Sequence, residues 1–215
     1  MSDPGGPDGA PEIAEEIMAG FRRTPRGGVS ARFTSAQAGI VRSLVGQVAE
    51  LVGGPGAADE PQGAAGGQDG PGVPADGPLP EDLAAILDAD GPAAPPDDPV
   101  LARLLPDGYG DDPEAAGEFR RYTEQGLRSG KVAAARTVLD TLPSGGGRIR
   151  LSAGDAEAWL RSLNDVRLSL GVLLGITEDY EREFSALDPA DPREAYLHVY
   201  DWLTFLQETL VRALR

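Results

Sequence analysis

Ten glycines and ten prolines fall within the 47 positions from residue 53 to residue 99, and this stretch limits the fold more than any other feature of the chain. A segment of that composition buries too little apolar surface to offset the entropy of ordering it. It is expected to be a disordered, acidic Gly/Pro-rich insert. The chain is thereby divided into residues 21–52, a hairpin and first helix, and residues 100–215, the remainder of the same single helical domain. Leu79, Leu83, Ile86 and Leu87 stand at helical spacing behind Pro80, Glu81 and Asp82. A short docking helix over 79–88 and a nascent helix that never packs are both open readings.

Charge follows the same division. Residues 1–20 carry five acids and residues 53–99 carry ten, with no Lys or Arg in either stretch. Removing those 15 from the total of 35 leaves 20 acids against all 19 basic residues, so the net charge of -16 belongs to these two stretches and the remainder is near -1. Residues 1–20 accordingly read as a disordered acidic tail.

The other segments carry regular signals. Phe21–Thr24 and Val29–Phe33 flank Pro25-Arg26-Gly27-Gly28, a hairpin pattern. Thr34 with Gln37 is a capping box for a helix whose Ile40, Val41, Leu44, Val45, Val48, Leu51 and Val52 share one face. The grammar returns at Arg148–Leu151, where alternating residues predict a strand, and at Ser152 with Asp155, a second cap. Arg42-Ser43-Leu44 and Arg161-Ser162-Leu163 also recur, a match short enough for chance as well as for duplication.

Asp98-Pro99, Asp112-Pro113 and Asp191-Pro192 each predict a helix start, while Ser129-Gly130 and Leu142-Pro143 read as helix ends. The helix from Ala156 becomes apolar nearly all round at Leu168–Leu174 and is expected at the centre of the core, with Trp159 and Trp202 both buried. The fold class is mainly α with a small antiparallel β-sheet (α+β), its helices packed around that central apolar helix.

Chemistry-bearing groups are sparse. The chain has no cysteine, which removes thiol nucleophiles and Cys-ligated metals and suits a reducing, cytoplasmic setting. No stretch approaches the roughly 20 apolar residues of a membrane span. His198 is the single histidine, so paired-His metal sites are excluded, and its place three residues before Asp201 reads as structural or solvated rather than as a catalytic base. Gly145-Gly146-Gly147 precedes a strand, whereas phosphate loops open a helix. No catalytic residue, metal site or cofactor is expected.

Two arginine groups carry the site expectations. Arg167 falls on the apolar arc of the central helix and needs a partner, and a structural ion pair with Asp201 or Glu208 is expected. Arg32, Arg148 and Arg150 point away from the apolar faces of their strands and converge if those strands pair, with Arg22 nearby. Such a face reads first as a plain solvated sheet surface; the alternative is an anion site for phosphate, nucleic acid or an acidic protein segment.

Arg103-Leu104-Leu105-Pro106-Asp107-Gly108-Tyr109, Glu118–Glu124, Trp159–Arg167 and Tyr200-Asp201-Trp202-Leu203 together resemble an uncharacterised domain-of-unknown-function family of high-GC Gram-positive bacteria. The resemblance spans residues 21–52 and 100–215 and implies encoding beside the ClpS-type protease adaptor, hence a protein partner linked to regulated proteolysis. It implies no catalytic or binding residue. The expected function is a non-enzymatic regulatory or adaptor-like protein-interaction domain. A DNA-binding transcriptional regulator using the arginine face is the alternative, which the charge of -16 disfavours, and an enzyme of unknown class is the third.

Overall fold

In a computed structural model, residues 20–25, 27–54, 94–177, 191 and 193–215 are described. The acidic stretch 1–19, most of the insert (55–93) and its 79–88 segment lie outside the described residues.

The small sheet forms where the sequence alternates. Strand β1 (Arg22–Arg23) pairs antiparallel with β2 (Val29–Phe33), and β2 pairs antiparallel with β3 (Gly147–Leu151), giving the order β1-β2-β3. Two glycines make the strand ends possible. Gly28 and Gly146 have φ of 80° and 74°, and a Cβ on either would stand 2.5 Å from the Leu151 carbonyl oxygen and 2.6 Å from the Phe33 carbonyl oxygen, respectively.

Thr34 and Gln37 close their capping box at the start of helix α1 (Ser35–Gly53), and Ser152 with Asp155 does the same for α4 (Ala153–Leu174). Asp98 and Asp112 cap α2 (Pro99–Leu104) and α3 (Pro113–Thr141), each with proline in the first turn. Helix α5 (Arg193–Leu214) opens where the Asp191 carboxylate accepts from the Arg193 backbone N–H at 2.9 Å. The end of α3 is held from outside: the Arg42 guanidinium of α1 donates to the Leu142 carbonyl at 2.7 Å.

Helix α4 is the hub, in contact with α1, α2, α3 and α5. One core cluster joins the inner sheet face (Val29, Ala31, Phe33, Ile149, Leu151) to Val41, Val45, Val138, Trp159, Leu163, Leu206 and Leu210. A smaller cluster of Val52, Val100, Leu104 and Leu105 seats α2 against the end of α1. Among the described residues no helix is long and apolar enough to cross a membrane.

Three sequence expectations are corrected. Ser129-Gly130 ends nothing: α3 runs unbroken through it for 29 residues, because buried Ala134, Ala135 and Val138 continue its core face beyond the glycine. Trp202 packs against the core only half-buried, whereas Trp159 is fully buried. The apolar second half of α4 is not enclosed on every side either, Leu173 being 72% exposed.

A Cβ at Gly126 or Gly130 meets nothing within 4 Å. Gly130→Ala should therefore stabilise the protein by about 0.8–1 kcal/mol, read from urea midpoints at constant m-value. No gain would mean that something not evident in the fold requires the glycine.

Candidate functional site

The register of the sheet settles where the arginines stand. Directly opposed residues of an antiparallel pair share a face, so Arg22, Ser30 and Arg150 form one row across the three strands, and Arg32 opposite Arg148 forms the next. Their side chains lie on the outer face: Arg22, Arg32, Arg148 and Arg150 are exposed, while Val29, Ala31, Phe33, Ile149 and Leu151 are buried beneath. The sequence expectation that Arg32, Arg148 and Arg150 converge is met in geometry.

Like charges directly opposed across strands are unfavourable by a few tenths to about 1 kcal/mol. The contact between the Arg32 and Arg148 charges is thus by itself unfavourable to folding. Among the described residues, Arg22, Arg148 and Arg150 have no carboxylate in ion-pairing distance.

Arg167 departs from expectation. Among the described residues its guanidinium bonds to neutral groups, donating to Thr204 Oγ1 at 3.0 Å, to Gln207 Oε1 and to the Tyr200 hydroxyl at 3.4 Å, with its charge 5.2 Å from the Tyr200 ring centre. Residues 200, 204 and 207 form one stripe of α5, and Asp201 stands about a quarter turn from it. The site is a polar clasp between α4 and α5 rather than the expected Arg167–Asp201 ion pair. His198 likewise faces Glu194 at 3.7 Å, one turn earlier, with its side chain 65% exposed.

Two charged arrangements escaped the sequence reading. Arg120, 5% exposed, donates to the Leu105 carbonyl at 3.2 Å, to Glu124 at 3.1 Å and to Asp107; Glu124 also pairs with Arg128 at 2.7 Å. Burial alone would raise the Glu124 carboxyl, but hydrogen bonds from Arg128 and Arg120 outweigh it and hold the group below its ordinary pKa. The Arg120–Glu124–Arg128 spacing of four was readable as helix pairs. Lys131, the only lysine, pairs at 2.7 Å with Asp165, whose side chain is 7% exposed. Burial pushes the Asp165 carboxyl up, and Lys131 offsets only part of that. The pair lies in a groove of about 610 Å³ between α3 and α4, whose walls include Gly126, Gly130, Ala158 and Arg161. No periodicity joins Lys131 to Asp165, which meet only through the crossing of α3 and α4.

These features define a mainly helical α+β domain with a cationic sheet face; among the described residues, no group of three or more His, Asp or Glu is placed to hold a metal ion. The chain belongs to the family described as Domain of unknown function (DUF2017), whose model matches residues 18–214.

It is similar to the oxidative stress regulator AosR of Mycobacterium tuberculosis (strain ATCC 25618 / H37Rv), at 42% identity over 127 residues, 53% of this chain and 57% of the relative. The same protein of Mycobacterium bovis matches to the same extent, and the putative oxidative stress regulator AosR of Mycobacterium leprae (strain TN) is 39% identical over 127 residues. The aligned region thus spans little more than half the length of these curated relatives. No solved structure matches the chain.

Proposed function

We propose that this chain is a non-enzymatic regulatory module that binds an acidic segment of a protein partner on the outer face of its sheet. The observation that carries the reading is the strand register, which sets Arg32 against Arg148 and Arg150 in line with Arg22. Strand pairing fixes the backbone positions from which these exposed side chains extend, and their planar guanidinium groups match carboxylates in geometry. The name borne by the mycobacterial relatives supports a regulatory role. These 215 residues include no cysteine, so in this reading any oxidant-linked response runs through the partner and not through a thiol switch within them. Encoding beside a protease adaptor, as the family resemblance implies, makes regulated proteolysis the process in which such a partner is sought.

Three exposed charge contacts at about 0.5 kcal/mol each sum to about 1.5 kcal/mol, or about tenfold in affinity. The triple variant Arg32→Gln/Arg148→Gln/Arg150→Gln should therefore bind a labelled Asp/Glu-rich peptide about tenfold more weakly than the wild type at low salt, with a thermal melt equal to or slightly above that of the wild type, because the opposed Arg32 and Arg148 charges are removed. Equal anisotropy titrations of the two proteins would eliminate the sheet face as the site. A nucleic-acid reading would use the same arginines; the net charge of -16 repels any anionic ligand, and a duplex with a phosphate at every nucleotide more strongly than a short acidic segment. A labelled duplex in the same titration separates the two, since tighter binding of the duplex than of the peptide would favour the nucleic acid.

A further inference from the structure

The sheet face has a candidate ligand within the chain itself. Residues 1–19 hold Asp3, Asp8, Glu12, Glu15 and Glu16 and no Lys or Arg, a charge of -5 on the side chains. The described chain begins at Gly20, which is held against α5 at the start of β1. Phe21 is buried and donates its backbone N–H to Thr209 Oγ1 of α5 at 3.0 Å, and the Gly20 backbone lies so close that a Cβ there would stand 2.4 Å from the same oxygen. Arg22, two residues on, is the first member of the row that continues through Ser30 to Arg150.

Reach is sufficient. Three strands spaced about 4.8 Å apart put Arg150 about 10 Å from Arg22. Glu16 precedes Gly20 by four residues, which span up to about 13 Å when extended. The second acidic segment is placed less well. It leaves the fold at Gly54, beyond the 19 residues of α1, which carry it about 28 Å from the sheet end of that helix. Effective concentration falls steeply with the length of the tether, so of the two acidic segments the one that starts beside Arg22 has the advantage.

We infer that residues 1–19 occupy the arginine face of their own chain and compete there with an acidic partner. This rests on the proposed role of that face, and makes binding depend on displacement of the chain's own carboxylates. The interaction is electrostatic between exposed groups and therefore weak and salt-sensitive.

The test uses the full chain and a variant with Asp3→Asn, Asp8→Asn, Glu12→Gln, Glu15→Gln and Glu16→Gln. At low salt the neutralised variant should bind a labelled oligoglutamate probe about three- to tenfold more tightly than the wild type, and the difference should vanish at high salt. NMR of the arginine Nε–Hε groups gives an independent readout. Resonances of Arg22, Arg32, Arg148 and Arg150 should shift on neutralisation, and salt should move the wild-type signals toward the variant's. Equal probe binding, or unmoved arginine resonances, overturns the inference while leaving the sheet face as a binding site. If the probe binds neither protein, the partner reading fails, and shifted resonances alone would still support occupation by residues 1–19. Neutralising Asp59, Glu60, Asp69 and Asp76 to their amides should change nothing; if this variant reproduces the effect, the occupant is the other segment and the inference is wrong.

Discussion

Trp159→Ala should cost about 3–5 kcal/mol, the largest loss expected of any single substitution in this fold. The indole is fully buried where three layers meet. Phe21 of the chain entering β1 stands edge-on at 5.5 Å between ring centres, Phe33 of β2 lies at 5.6 Å, and the indole N–H donates to Thr141 Oγ1 at 2.8 Å on the last turn of α3. Truncation opens a cavity between sheet and helices, removes the N–H that the Thr141 hydroxyl accepts (the hydroxyl keeps its own bond to the Thr137 carbonyl at 2.6 Å) and loses two aromatic contacts, effects that act in the same direction. Urea unfolding followed by far-UV circular dichroism measures the loss, and the remaining Trp202 keeps a fluorescence signal. Trp159→Phe should be milder, keeping most of the ring contacts while losing the hydrogen bond. A loss below about 1.5 kcal/mol for Trp159→Ala would mean that sheet and helices are not held together through this residue.

Trp159 was readable as a core residue because its helix carries an apolar stripe in step with 3.6 residues per turn, and the neighbouring cap, Ser152 with Asp155, fixes where that helix starts. Caps and strand alternation are local, and both are visible in single segments. The arginine face was readable for the same reason: alternation in two strands dictates the outer side of each, and pairing then only has to bring them together. Trp202 shows the limit. Its stripe on α5 is as regular, yet how deeply it sits depends on how α5 rolls against α4, which no segment encodes by itself. Gly130 misled for a related reason, since the local cost of a helix glycine is about 1 kcal/mol and burial of Ala134, Ala135 and Val138 further along the same helix outweighs it. Arg167 required a partner, as its position implied, but the choice of Thr204 and Gln207 over Asp201 is again decided by the rotation of α5.

The Lys131–Asp165 pair belongs wholly to the tertiary level, and it has the second large effect. Lys131→Met should destabilise the protein at neutral pH by about 3 kcal/mol, the lower end of the range for stranding one partner of a buried ion pair, because the lysine side chain is 22% exposed. The loss should depend on pH with a definite sign. Burial raises the Asp165 carboxyl above its ordinary value even with Lys131 beside it, and removing the ammonium raises it further, although Arg161 also lines the groove. A carboxyl whose folded pKa exceeds its unfolded one binds protons more readily in the fold, so the stability penalty of its ionised form is present above the folded pKa and disappears as pH falls through it. The gap between wild type and Lys131→Met should therefore be widest near neutrality and narrow on acidification. Glu124 runs the other way, its depressed pKa giving stability that is lost as pH falls, but it is common to both proteins and cancels in the difference. Adding Asp165→Asn to Lys131→Met removes the stranded charge and should recover much of the loss at neutral pH while flattening its pH dependence. Urea midpoints for the three proteins across the acid range decide the matter. A wild-type-to-variant gap that stays constant with pH would show that Lys131 supports the groove by packing its aliphatic stem, not by compensating Asp165.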